Sequence, residues 1–165
     1  MSGTLIVPMS ESDNQGCSGV AVLKISIIGT GYVGAVTGAC LAELGHDIVF
    51  VGRDTKKLDL IQSGKSPIYE PGLDQLLEKN LIRITTTVDL MDAIRKTALT
   101  FICVGTPSND DGSIDLDQIQ DVSHTIGKSL ASADVYHTII VKSTVLPGTS
   151  AVSYTHLTLP TNREV

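Results

Sequence analysis

From about residue 22 onward, the apolar positions of the chain follow two alternating rhythms. Short runs rich in β-branched residues read as strands at residues 22–28, 48–51, 82–85, 99–104 and 136–141. Between them, apolar residues recur at helical spacing. The first helix is expected over residues 32–44, with Val33, Val36, Cys40, Leu41 and Leu44 as its inward stripe. Further helices follow over residues 54–62 (Leu58 and Ile61 inward), 73–79 (Leu73, Leu76 and Leu77 on one side) and 89–97. The last turns Leu116, Ile119, Val122, Ile126 and Leu130 inward. The punctuation agrees. Gly45 closes the first helix, Asp54 caps the second, and Thr87 or Asp89 caps the fourth. Residues 63–72, SGKSPIYEPG, form a loop because prolines and glycines break both rhythms.

Strands and helices that alternate in this way imply a mostly parallel sheet with right-handed crossovers. The run LTFICV, apolar throughout, suits a strand buried on both faces. The decisive stretch is residues 24–34, KISIIGTGYVG, where a strand runs into Gly29, Gly31 and Gly34 and then directly into a helix. Such a turn is a phosphate seat. The first glycine permits a sharp turn, the second lets the backbone approach a pyrophosphate, the third lets helix pack on strand, and the helix start aims free N–H groups at the anion. Glycines in this spacing also occur as plain packing turns, and it is the strand-then-helix context that favours the phosphate reading. The fold class expected is α/β, a Rossmann-type doubly wound, mostly parallel sheet flanked by helices.

Composition narrows the partners. A net charge of -6 without Lys/Arg clusters argues against nucleic acid or an anionic membrane surface. No run is long enough to span a bilayer and no secretion signal opens the chain, so a cytoplasmic protein is expected. Cys17, Cys40 and Cys103 lack metal-ligand spacing, and the latter two lie inside apolar patterns, so buried reduced thiols are expected and no metal site. His46, His124 and His137 share no motif, and no ligand role is assigned to them. Residues 1–22 read as a loose polar tail or a misplaced start, and residues 23–150 as the dinucleotide-binding domain.

Three more motifs, SPIYEPGL (66–73), FICVGTPSNDDGSIDL (101–116) and VKSTVLPGT (141–149), accompany the glycine turn in order. With them, residues 23–150 resemble the amino-terminal NAD-binding domain of the UDP-glucose/GDP-mannose dehydrogenases. The resemblance implies an NAD-dependent oxidoreductase that takes a sugar-nucleotide C6 alcohol to a carboxylate in two hydride transfers. UDP-glucose, giving UDP-glucuronate, is the expected substrate, with GDP-mannose and UDP-N-acetylmannosamine as alternatives. The cofactor-binding residues it implies are Gly29, Thr30, Gly31, Tyr32, Val33 and Gly34 at the turn, and Arg53, Asp54 and Lys57 beyond the second strand. Thr106, Pro107 and Ser108 follow the fourth strand, and Ser143 and Thr144 the fifth. Thr144 is the implied catalytic residue, helping to order water at the nicotinamide end. Lys142 is read as a solvated charge. Tyr69 and Glu70 either reach toward substrate or simply lead, with Pro71, into the next helix.

Two departures from the family pattern matter. The acidic residue that ends the second strand in the family is replaced by Gly52, followed by Arg53 and only then Asp54. Either Asp54 reaches back to the ribose and NAD is kept, which is the expectation, or Arg53 clamps the 2′-phosphate of NADP. The second departure lies at residues 151–165, AVSYTHLTLPTNREV, which resemble one frame of a sequencing adapter joined to a truncated gene. The catalytic thiol of the family and its assembly helix would then be missing, leaving an inactive fragment of a homo-oligomeric enzyme. A stand-alone sensor of NAD(P)(H) is the alternative of another class.

Overall fold

In the computed structural model the described residues are 21–109, 111–131 and 136–143. The chain runs β1 (Lys24–Ile28), α1 (Tyr32–Glu43), β2 (Asp47–Val51), α2 (Thr55–Gln62), α3 (Leu73–Lys79) and a 3-10 turn (Leu81–Arg83). It continues through β3 (Ile84–Thr87), α4 (Leu90–Lys96), β4 (Leu99–Ile102), α5 (Asp117–Ala131) and β5 (Thr138–Val141). The five strands form one sheet in the order β3-β2-β1-β4-β5, every pair parallel. The chain therefore reverses direction across the sheet between β1 and β4, and a crevice opens there at the carboxyl ends of the strands.

Alternation along β1 divides the core in two. Ile25 and Ile27 face a cluster containing α1, α2 and α3 residues, with Phe50 and Ile48 of β2. Ile28 faces the opposite cluster, where Val51 and Ile102 meet Ala93 and Ile94 of α4 and Val122 and Ile126 of α5. Helices thus cover both faces, as the alternation of elements predicts. Ser26 interrupts this aliphatic sheet. It is fully buried and shares a 2.6 Å hydrogen bond with Thr100 Oγ1, which in turn meets His137 Nε2 at 2.7 Å.

Caps fix where the short helices begin. Asp54 Oδ1 accepts from the Lys56 and Lys57 amides to start α2, and Asp89 Oδ1 accepts from the Asp92 amide to start α4. Thr87 also contributes at α4, its Oγ1 accepting from the Asp89 amide. Two expectations need correction. α1 does not bury the stripe of large residues, because Val33, Cys40 and Leu44 are exposed. Its inward face is Gly34, Ala35, Gly38, Ala39 and Ala42. Small residues let the helix axis come close to the sheet, and a Cβ at Gly38 would land on the Phe50 ring. Cys40 is accordingly an exposed thiol, whereas Cys103 is buried. The third strand begins at Ile84 rather than 82, since the 3-10 turn takes up Ile82 and leaves it 94% exposed.

Candidate dinucleotide site

At the end of β1 the chain turns at Gly29, whose φ of +108° is open to glycine but strained for other residues. The Gly29 amide donates to Val51 O at 2.9 Å, and a Cβ there would lie 2.5 Å from Cys103 O. Gly34, in the first turn of α1, packs so tightly on this bend that a Cβ would fall on the Gly29 carbonyl oxygen. Both glycines are required by the protein's own backbone. Gly31 is different. Its φ of -83° suits any residue, and a Cβ there would meet nothing within 4 Å. Gly31 is also the N-cap of α1, with no side chain closing the helix start. The uncapped amide end of α1 thus opens on clear space beside the turn, the kind of end that favours an anion.

A cleft of about 960 Å³ runs from this turn along the strand ends. Gly29, Thr30, Gly31, Tyr32 and Val33 line one side, and Arg53, Asp54 and Lys57 carry it past the end of β2. Thr106 lines it beyond β4 and Ser143 beyond β5. Ser143 Oγ donates to Val104 O at 2.8 Å, tying the two strand ends together. Gly34 lies beneath the turn as packing. Pro107 and Ser108 do not line the cleft. Their loop folds back on itself, with Asp115 N donating to Pro107 O at 2.8 Å and Ser108 bridging to Ile114. Thr144 lies outside the described residues.

The sequence reading missed one wall of the cleft. Val88, Leu90 and Val122 give it an apolar side, while Gln118 and Thr125 of α5 and Lys142 add polar groups. Lys142 belongs to the VKSTVLPGT motif but was read as a solvated charge, while the others carry no motif, and α5 reaches the cleft only because the sheet order brings β4 beside β1. Cys103 also lines the cleft, but burial pushes its thiol up to about 11, with the Lys142 cation pulling it part of the way back. Near neutral pH it is a protonated packing residue. Among the described residues, no group of three potential metal-ligating side chains comes together, and no helix is long and apolar enough to cross a membrane.

A doubly wound parallel sheet with a phosphate cradle at its switch point defines a dinucleotide-binding domain of the dehydrogenase type. The chain belongs to the UDP-glucose/GDP-mannose dehydrogenase family, whose NAD binding domain matches residues 23–163. That match takes in most of residues 151–165, which lie outside the described residues. GDP-mannose 6-dehydrogenase of Pseudomonas syringae pv. tomato is 52% identical over 131 residues, covering 78% of this chain and 30% of that protein. UDP-glucose 6-dehydrogenase AglM of Haloferax volcanii is 44% identical over 129 residues, covering 78% and 30%. Among solved structures, a ternary complex of GDP-mannose dehydrogenase from Pseudomonas aeruginosa superposes with a TM-score of 0.78 at 44% identity, over 81% of this chain and 31% of that one. The chain therefore spans about 30% of the length of the curated relatives it matches. Its cofactor is NAD.

Proposed function

We propose that residues 23–150 are the cofactor-holding part of a nucleotide-sugar 6-dehydrogenase that oxidises the C6 alcohol of a nucleoside-diphosphate hexose to the carboxylate. The observation that carries this reading is the glycine turn at the end of β1, which sets the uncapped amide start of α1 on the wall of the cleft at the sheet's switch point. Bound NAD supplies a hydride acceptor. The chain's own residues hold the pyrophosphate on the amides at the start of α1, seat the adenosine end near Arg53, Asp54 and Lys57, and wall the cleft with Val88, Leu90 and Val122. Thr144, the next residue after Ser143, is proposed to order water at the nicotinamide end.

The substrate we infer is GDP-mannose rather than the UDP-glucose that the motifs first suggest. Relatives named for GDP-mannose range from 52% down to 45% identity with the chain, against 44% for two named for UDP-glucose. UDP-glucose stays as the second reading because that margin is narrow. Assaying the full-length product of the gene with both sugars tests the choice, and a higher kcat/KM with UDP-glucose would reverse it.

The second oxidation needs a thiolate to hold the aldehyde, and neither Cys103, with its raised pKa, nor Cys40, outside the cleft on α1, is placed to serve. With Cys17 outside the described residues, the chain alone is proposed to bind NAD without carrying a sugar through to the carboxylate.

A further inference from the structure

The end of β2 is where a Rossmann domain chooses between ribose hydroxyls and a ribose phosphate, by an acid in the first case and a nearby arginine in the second. Here no carboxylate is available at the strand end itself, because the position is Gly52. The next acid along the chain, Asp54, has one of its two carboxylate oxygens committed to a helix cap. Its Oδ1 accepts from Lys56 N at 3.1 Å and from Lys57 N at 3.4 Å, which turns it toward the start of α2. Arg53 is exposed on the cleft and, among the described residues, makes no ion pair. Half-buried Lys57 lines the same corner, so two cations stand there against one capped carboxylate.

We propose that Arg53 and Lys57 form a phosphate-accepting corner, and that the domain binds the 2′-phosphorylated dinucleotide NADP at least as tightly as NAD. A phosphate monoester brings about -1.5 to -2 charges to this corner at neutral pH. A guanidinium can meet it with two parallel N–H donors, while the Lys57 ammonium adds a point charge. Gly52 contributes by omission, since an acid there would repel the phosphate. The space beside Gly52 is also narrow, because a Cβ would lie 3.3 Å from Thr30 Cγ2 and 3.4 Å from Leu58 Cδ2.

This inference rests on the cleft being the dinucleotide site, so both cofactors are titrated calorimetrically into the chain after circular dichroism has verified its fold. The expected result is an NADP dissociation constant equal to or below that of NAD. Replacing Arg53 by alanine, a surface change that leaves the core intact, should shift the ratio of the two constants about tenfold toward NAD. Lys57→Ala should shift it in the same direction by less. NADP binding measurably weaker than NAD, or a ratio unmoved by both substitutions, overturns the proposal while leaving the NAD reading intact. A folded chain that binds neither dinucleotide overturns both.

Discussion

Three glycines in one turn do different work, and single methyl groups separate their roles. Gly34→Ala drives a carbon onto the Gly29 carbonyl oxygen and should destabilise the domain by about 1–3 kcal/mol or more, read as a lower denaturant midpoint. Gly31→Ala meets no protein atom and should cost about 1 kcal/mol at most, through loss of a favourable cap residue. It should nonetheless weaken NAD about tenfold or more, because the methyl group takes the space kept for the ligand. Equal effects of the two changes on stability would contradict the assignment. The turn was legible in the sequence because its spacing has a physical meaning in its strand-then-helix setting. Arg53, Asp54 and Lys57 were placed near the cofactor by the family resemblance, but the commitment of Asp54 Oδ1 to a cap could not be separated from a ribose contact without side-chain geometry. Gln118 and Thr125 were invisible, since their place in the cleft comes from sheet order alone.

Among the elements, the caps and the glycine-closed turns were readable from sequence, and the face of α1 was not. Periodicity weights large apolar side chains, so it picked out Val33, Cys40 and Leu44 and passed over the buried glycines and alanines of α1, of which Gly38 lies against Phe50. Close packing selects those small residues, and a scale of hydrophobicity does not see it. Gly38→Ala should therefore destabilise by about 1–3 kcal/mol although alanine is the better helix former, a reversal that thermal or denaturant unfolding would reveal. β1, β4 and the residue just before β5 carry a second testable feature in the hydrogen-bonded row Ser26, Thr100 and His137. Burial holds the His137 imidazole below its ordinary value of 6.5, partly offset by a hydrogen bond with the Thr97 backbone. The folded state thus binds the proton less tightly than the unfolded chain, and this contribution is fully present above pH 6.5 and is lost as pH falls below it. His137→Gln should lose less stability than the parent chain between about pH 7.5 and pH 5.5, whereas parallel losses would contradict this account.

At the scale of the whole molecule, the alternation of rhythms led directly to a doubly wound sheet, because strands that alternate with helices pair in parallel and need helical cover on both faces. The sugar-recognising residues were not legible, and the margin between relatives named for GDP-mannose and for UDP-glucose reflects that. Incubated with NAD and either sugar nucleotide, the chain should form no uronate, because the aldehyde-to-acid step needs a thiolate, and detectable carboxylate product would show that a nucleophile is present after all. The most direct measurement is a titration of NAD into the folded chain. The account predicts saturable one-to-one binding that Gly31→Ala weakens, and a folded chain showing no binding to NAD would contradict it.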